Sequence, residues 1–442
     1  MIFRNVASRF CVAIVMTAII AAAARAETGF IPINDLGTGL YLGQYQGGLY
    51  PGGSNDVPAA HAAAGLAHAE LVVPRDALGN PSPAGKYAFV SIGMSNTTQE
   101  FCGGGDTTVA CTPPSFMGQA LADPLVNHDT LVLVNGAKGG KSAAYWDSPA
   151  DPDYDRVRDE RLPALGVTEA QVQAAWVKVA NPQPSSSLPN ANADAMTLVG
   201  QMGDIARALK VRYPNMQQVF FSSRIYAGYA TTSTLNPEPY AYESGFAVKR
   251  IVEAQIEQMN GGGIDPLAGD LSYASGVAPW IAWGPYLWAD GLNPRSDGLI
   301  WNSADLGTDG THPSMLGVEK VGAMLLDFML NSPFTQPWFV DPLASDFDED
   351  GEVDGDDLTR WRTNFGAGTT HLQGDADGDL DVDGRDFLVW QSQLGSATSI
   401  ATTAPLPEPG ALALMLVAAM LALGCQRQGG RPKRDEGELL EA

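Results

Sequence analysis

Basic residues, cysteines and histidines are all scarce in this sequence of 442 residues. The chain has 26 Lys and Arg against 50 Asp and Glu, which gives a formal net charge of −24. Nucleic-acid phosphates require a basic surface, so this balance excludes nucleic acid as an expected partner. The acidity is local, because residues 346–386 contain 14 of the carboxylates and only three arginines. That segment therefore needs an explanation of its own.

Only four cysteines are present, and two of them lie near the chain ends. Arg4 and Arg9 precede the apolar run "FCVAIVMTAIIAAAA", which ends at the small-residue pattern "ARA". This pattern predicts a secretory signal peptide over 1–26, with a retained membrane anchor as the alternative. Cys11 belongs to that segment and Cys425 to a hydrophobic tail. We therefore expect Cys102 and Cys111 to form a disulfide in an oxidising compartment.

Apolar, strand-like runs alternate with helical patterns between Tyr87 and Leu330. The runs are "YAFVSI", "DTLVLVN", "VQAAWVKVAN", "QQVFFSSRIY" and "APWIAWG". Helical spacing is present over 196–209, over 246–259 and from about Ser314 to Phe328. This alternation predicts an α/β fold with a parallel sheet that is covered by helices on both faces.

The five histidines make the search for a catalytic base short. His61 and His68 lie in an Ala-rich stretch, His128 precedes a strand, and His371 lies between the acidic segments. His312 differs, because "GTDGTHPS" places Asp309 three residues before it and ahead of a helix. The loop can thus present a base and its orienting carboxylate, although a plain loop with Ser314 as N-cap is the alternative.

A nucleophile for that base is predicted at Ser95, which follows an apolar strand in "SIGMSN". Ser54, in "YPGGSND", is a competitor, but no strand leads into it and a β-turn explains it. The blocks "GMS" (93–95) and "DGTH" (309–312) together resemble those of the SGNH (GDSL-like) hydrolases. The resemblance implies a three-layer, flavodoxin-like α/β/α domain over 27–339. It also implies Ser95 as nucleophile, His312 as base and Asp309 as its orienting residue, with no cofactor for catalysis.

The resemblance implies two further oxyanion donors besides the Ser95 N–H. Gly140 in "LVLVNGAKGGKSA" matches the second family block, with Gly139 as a near competitor and a simple turn as the alternative. Asn181 in "VKVANP" matches the third block, but Val179 and Pro182 stand where the family has Gly and Asp. Asn181 could instead be only a turn residue, and an oxyanion hole lacking one donor loses about 10²–10³ in rate.

The acidic segment contains two copies of one pattern, 29 residues apart, each followed by apolar residues with helical spacing. Side-chain carboxylates at loop positions 1, 3, 5 and 12, with the backbone carbonyl at position 7, suit Ca²⁺, whereas a solvated acidic linker is the alternative. The residues at these positions are Asp346, Asp348, Asp350, Glu352 and Asp357 in the first copy, and Asp375, Asp377, Asp379, Asp381 and Asp386 in the second. Gly351 occupies position 6 of the first loop, but Leu380 does so in the second, which predicts a weaker second site. The pair (340–398) resembles a type I dockerin, a small all-α, EF-hand-like module that binds cohesin domains or docks within its own chain.

The C-terminus follows a short linker (399–406). Residues 407–442 contain "PEP", 14 mostly apolar residues and a basic stretch, and resemble the PEP-CTERM sorting signal. A helix of 14 residues spans only about 21 Å, short for a permanent membrane anchor. The resemblance implies processing by an exosortase-type enzyme and a location outside the cell or in its envelope.

The whole sequence is typical of a secreted serine esterase. The resemblance implies that the substrate is an acylated carbohydrate, such as an O-acetylated polysaccharide. Four tryptophans in or near loops after strands (Trp146, Trp283, Trp288 and Trp301) could stack on sugars, or could simply be packed. The alternative function is a catalytically impaired surface or adhesion protein on a hydrolase fold.

Overall fold

A computed structural model describes residues 27–103 and 111–397 of the chain. The predicted signal peptide (1–26), linker (399–406) and sorting tail (407–442) lie outside these residues. Within the described ranges, none of the helices combines the length and the hydropathy of a membrane span.

The N-terminal part consists of short elements. They are helix α1 (Ile33–Leu36), the antiparallel pair β1 (Leu40–Tyr41) and β2 (Tyr45–Gln46), and helix α2 (Ala59–Glu70). Helix α2 was not expected from the sequence. Seven of its twelve residues are alanine, which favours helix strongly but produces no hydrophobic periodicity.

Five parallel strands form the central sheet in the order β4-β3-β5-β6-β7. They are β3 (Tyr87–Gly93), β4 (Leu131–Asn135), β5 (Val172–Lys178), β6 (Gln218–Phe221) and β7 (Trp280–Trp283). Strands β3, β5, β6 and β7 are buried along their whole length, whereas β4 lies at the edge and is buried only in part. Each predicted apolar run thus contains one strand, and the predicted α/β class with a parallel sheet is confirmed.

Helices cover both faces of this sheet. The remaining helices of this part are α3 (Ser95–Cys102), α4 (Phe116–Ala122), α5 (Pro152–Arg156), α6 (Leu162–Ala164), α7 (Asp194–Arg212), α8 (Tyr240–Met259), α9 (Met315–Asn331) and α10 (Gln336–Phe339). A π-helical turn, Val157–Arg161, joins α5 to α6. Helix α7 packs against α8, while α9 packs against α3, α4 and α10. Phe89 of β3 contacts Phe101 of α3 and Phe116 of α4, so aromatic side chains fill the layer under α9.

The acidic segment forms two loop–helix units with a small core of their own. Helices α11 (Gly355–Asn364) and α12 (Gly384–Gln393) begin at capping boxes on Asp354 and Asp383. Their core is formed by Phe347, Val353, Ala376 and Trp390. This part contacts the sheet-containing part through a bridge between Val126 and Val340.

Candidate active site

The nucleophile candidate lies where the central strand meets its helix. Strand β3 ends at Gly93, and Ser95 is the first residue of α3. A Cβ atom at Gly93 would lie 2.2 Å from the carbonyl oxygen of Lys178, so only glycine allows the turn to approach β5 this closely. Ser95 is therefore held at the carboxyl edge of the sheet, where ligands of open α/β sheets bind.

The loop before α9 brings a base and a carboxylate to that serine. The Ser95 Oγ lies 2.6 Å from Nε2 of His312, and His312 Nδ1 lies 2.5 Å from Oδ2 of Asp309. Ser314 also caps α9 by accepting a hydrogen bond from the Gly317 N–H. The capping role and the pairing of His312 thus coexist in one loop.

Hydrogen bonds keep Asp309 ionised. Its Oδ1 accepts from the backbone N–H groups of Thr311 and His312, each at 2.9 Å. Burial raises the pKa of Asp309, but these hydrogen bonds and the one from the His312 ring outweigh burial and lower the pKa to about 2. A carboxylate at neutral pH fixes the imidazole with its N–H at Nδ1, which leaves the Nε2 lone pair directed at Ser95.

A pocket of about 100 Å³ opens beside the serine, and Ser95, Gly140, Asn181 and His312 all line it. Gly140 has φ +77°, a conformation that favours glycine, and it lines the pocket whereas its competitor Gly139 does not. Because Ser95 starts α3, its backbone N–H has no acceptor within that helix. The structure therefore brings the three predicted donors of the oxyanion hole to one pocket.

Asn181 already uses one of its two side-chain amide hydrogens elsewhere, which limits its part in an oxyanion hole. Its Nδ2 donates a hydrogen bond to the carbonyl oxygen of Asp194 at 2.9 Å. The amide group carries two hydrogens, so one N–H remains for a ligand.

Five further polar residues that sequence patterns did not identify line the pocket: Asn96, Ser142, Arg224, Thr234 and Asn236. Arg224 lies just beyond β6 in "SSRIY". The rule that located Ser95, a polar residue at the carboxyl end of a buried strand, could have found it. Asn96 is almost fully buried, and its Nδ2 donates to the carbonyl oxygen of Thr311 at 2.9 Å. The signal for Asn236 is weaker, since an Asn-Pro turn is common.

Several alternatives left open by the sequence can be compared with the structure. The Ser54 hydroxyl accepts from the Asp56 N–H within a local turn. The four tryptophans considered for sugar stacking are buried, so they are core residues and that interpretation is wrong. The sulfur atoms of Cys102 and Cys111 lie 2.00 Å apart at the end of α3, as a disulfide requires.

The acidic loops bring together only part of each predicted ligand set. Carboxylate oxygens lie within 4.8 Å of one another in two equivalent groups, Asp346, Asp348 and Asp357 and then Asp375, Asp377 and Asp386. A third group joins Asp381 and Asp383 to Asp386. Asp350, Glu352 and Asp379 are not in these groups. Asp350 instead accepts from the Glu352 N–H, and Asp379 from the Asp381 N–H.

These loops fit a hard divalent cation. The Oδ1 atom of Asp348 is buried and has no hydrogen-bond partner among the described residues. Oxygen-rich clusters around a sharply turned loop are what Ca²⁺ prefers. The deeply buried position-12 carboxylates, Asp357 and Asp386, each accept backbone N–H groups from the start of their own loop.

Comparisons with known proteins add three solved structures. An extracellular lipase from Streptomyces rimosus is 14% identical, with a TM-score of 0.27. The match covers 54% of this chain and 97% of the lipase chain. An acetyl xylan esterase from Geobacillus stearothermophilus is 12% identical over 57% and 98%, with a TM-score of 0.29. A phospholipase A1 from Streptomyces albidoflavus is 10% identical over 55% and 98%, with a TM-score of 0.27. No family model and no curated protein matches the sequence. Similarity at this level says nothing about a shared substrate.

Proposed function

We propose that this protein is a serine ester hydrolase. The observation that supports this function is the chain of contacts from Ser95 Oγ to His312 Nε2 and from His312 Nδ1 to Asp309, at 2.6 and 2.5 Å. A hydroxyl becomes a nucleophile when a base can take its proton and a third group orients that base.

The reaction follows from these positions. Ser95 Oγ attacks the ester carbonyl carbon while its proton moves to His312 Nε2. The tetrahedral oxyanion accepts hydrogen bonds from the N–H groups of Ser95 and Gly140 and from the remaining amide N–H of Asn181. The imidazolium, stabilised by Asp309, then gives its proton to the leaving alcohol as the C–O bond breaks. A water molecule, activated by the same histidine, hydrolyses the acyl-enzyme and restores Ser95.

Ser95→Ala tests this function directly, with Ser54→Ala as the matched control because Ser54 also lies in a glycine-rich turn. We expect Ser95→Ala to lose hydrolysis of 4-nitrophenyl acetate and labelling by a fluorophosphonate probe, with an unchanged thermal melt. Ser54→Ala should match the wild type in all three measurements. Full turnover in Ser95→Ala, or loss in Ser54→Ala alone, would contradict the assignment. A wild-type chain that hydrolyses no ester and takes no label would favour the surface-binding alternative.

The substrate class, the calcium sites, the protein partners and the location are also proposals. We infer an acylated carbohydrate as substrate from the family resemblance. The acidic loops over 340–398 are proposed to hold Ca²⁺ in a dockerin-like module with a cohesin-like protein partner. A place outside the cell or in its envelope, reached with an exosortase-type enzyme, rests on the patterns of 1–26 and 407–442.

A further inference from the structure

Arg224 is buried and lines the pocket that contains Ser95, and within residues 27–103 and 111–397 it has no ion-pair partner. Arg224 is only 3% exposed. Nη1 donates to Oδ1 of Asn96 at 2.9 Å, and Nη2 donates to the carbonyl oxygen of Leu235 at 3.3 Å. Nε is buried and has no partner among the described residues. Nη1 also lies 4.0 Å from the Met94 sulfur. All three of these acceptors are neutral, so none of them offsets the guanidinium charge.

The carboxylates that act on Arg224 from a distance all have other partners. They are Glu100, Glu238 and Asp309. Glu100 forms a fully buried ion pair with Lys178 at 2.5 Å. Glu238 accepts hydrogen bonds from two backbone N–H groups and from Trp288, and Asp309 holds His312. A buried charge without a close opposite charge is costly, which makes the pocket the place where an anion would be stabilised.

The rest of the pocket wall also favours a negatively charged ligand. None of the residues lining it is acidic, although the chain as a whole has a net charge of −24. The Ser142 hydroxyl lines the same pocket, is buried, and has no hydrogen-bond partner among the described residues. A buried polar group without a partner calls for a ligand or a water molecule, and Ser142 is 7% exposed. Two hydrogen-bond donors of this pocket, Arg224 Nε and the Ser142 hydroxyl, therefore have no acceptor among the described residues.

We propose that this pocket selects esters that carry a free carboxylate close to the scissile bond, with Arg224 supplying the charge and Ser142 a hydrogen bond. This inference rests on the proposed hydrolase function and specifies its substrate class. The carboxylate can belong to either side of the ester. On the alcohol side the substrate is an acylated uronic acid, and on the acyl side it is a hemiester of a dicarboxylic acid.

Arg224 has a second effect that the test must separate from charge recognition. It holds Asn96, whose amide donates to the carbonyl oxygen of Thr311, the residue before His312. Loss of Arg224 therefore loosens the His312 loop for every substrate. Asn96→Ala breaks this connection and leaves the guanidinium in place, so it is the matched control.

The experiment measures kcat/KM on two matched pairs of esters. One pair is an acetylated methyl glucuronoside and the acetylated methyl glucoside, and the other is 4-nitrophenyl hydrogen succinate and 4-nitrophenyl methyl succinate. We expect the wild type to prefer the charged member of one pair by about ten- to a hundredfold, as a hydrogen bond to a charged group provides. Arg224→Gln should bring that ratio close to one, and Ser142→Ala should lower it. Asn96→Ala should slow both members equally and keep the ratio.

Three outcomes would overturn the proposal: no preference in either pair, an unchanged ratio in Arg224→Gln, or an equal loss of the ratio in Asn96→Ala. The pair that shows the preference identifies the side of the ester. If Arg224→Gln does not fold, Arg224→Lys keeps a charge but loses the planar donor group, and it should reduce the ratio only in part.

A binding measurement separates this inference from the proposed function. Calorimetry on Ser95→Ala with both members of each ester pair needs no catalysis. Preferential binding of the charged member of one pair supports the carboxylate site even if the wild type hydrolyses no ester. Equal binding within both pairs, with a wild type that hydrolyses the neutral esters, would reject the carboxylate site and leave the hydrolase function standing.

Discussion

Asp309 uses its two carboxylate oxygens for different tasks. Oδ1 organises the loop through the N–H groups of Thr311 and His312, while Oδ2 holds the imidazole. Asp309→Asn preserves an acceptor for the loop but removes the negative charge facing the imidazolium. We expect kcat to fall by about 10³–10⁴-fold, close to the effect of the equivalent Asp-to-Asn change in a Ser-His-Asp protease, with a nearly unchanged melting temperature.

Steady-state kinetics on 4-nitrophenyl acetate checks this expectation, with Asp305→Asn as control. Asp305 lies in the same region but pairs with Lys320, so its loss should lower stability and not kcat. Equal kcat values for the two variants would show that Asp309 has no special role.

His61 contributes to the dependence of stability on pH. Its Nε2 donates to the carbonyl oxygen of Ile281 at 2.8 Å and its ring stacks on Trp280. Burial lowers the pKa of His61 from 6.5 to about 4. Between these values the unfolded chain binds a proton that the folded chain does not, so stability falls as pH falls, by at most about 1.4 kcal/mol per pH unit.

His61→Gln keeps a donor to Ile281 and removes the titration. The free energy of unfolding of this variant should therefore fall less steeply than that of the wild type between pH 6.5 and 4. The variant and the wild type must be compared at each pH, because Glu238 and Glu243 change the free energy of unfolding with pH in the opposite direction. Burial raises their pKa values from 4.5 to about 7, so their contribution is present at low pH and is lost as pH rises through 7. Parallel curves in urea unfolding would contradict the role of His61.

The two acidic loops, which we propose bind Ca²⁺, differ in where each places its glycine. In the first loop, position 4 is Glu349 with φ +58° and position 6 is Gly351 with φ +90°. In the second, position 4 is Gly378 with φ +72° and position 6 is Leu380 with φ +70°. Each loop thus has one left-handed residue that is not glycine. The predicted weakness of the second site loses part of its basis, because Glu349 places a similar strain on the first.

Leu380→Gly and Glu349→Gly form a matched pair of substitutions. Each should relieve about 1 kcal/mol of backbone strain and tighten Ca²⁺ binding at its own loop by about fivefold, in titrations of the full chain. Glu349 occupies a position that supplies no side-chain ligand in such loops, so the comparison isolates the backbone. Tightening by Glu349→Gly but not by Leu380→Gly would contradict strain as the cause.

Sequence patterns located the strands, helices and loops whose structure depends mainly on their own side chains. The five apolar runs, the periodic helices α7, α8 and α9, and the Ser95 and His312 blocks were all visible. Helix α2 was not, because alanine gives no amphipathic signal. Asn96 was not, because its importance comes from a contact with Arg224, 128 positions away. Such pairings depend on strand order, which spacing along the chain does not specify. Arg224 itself was overlooked, although its place after a buried strand is a signal of the kind that located Ser95.

At the scale of the molecule, the acidic part packs against the sheet-containing part. The Asp341 N–H donates to the carbonyl oxygen of Leu125, and a Cβ atom at Gly378 would lie 2.6 Å from Pro124. The second acidic loop therefore approaches the sheet-containing part, although none of Ser95, His312 and Asp309 belongs to an acidic cluster.

Chelation with EGTA should leave kcat on 4-nitrophenyl acetate unchanged, since no catalytic residue is a proposed metal ligand. It should lower the melting temperature of the acidic part, because the clustered carboxylates then repel one another without a cation. Calorimetric scans and rate measurements on the same samples check both statements. Activity that disappears with EGTA and returns with Ca²⁺ would mean that the two parts are coupled through the Pro124 contact.

The distance along the chain between Ser95 and His312 also sets when activity first becomes possible. The two residues are 217 positions apart, and a chain leaves the ribosome from its N-terminus. The serine therefore emerges, and can be buried in a partly folded sheet, long before its base has been synthesised. A chain interrupted anywhere before the α9 loop has a nucleophile that cannot be activated. Biosynthesis itself therefore delays the proposed esterase activity until nearly the whole α/β part exists, and incomplete chains would not have it.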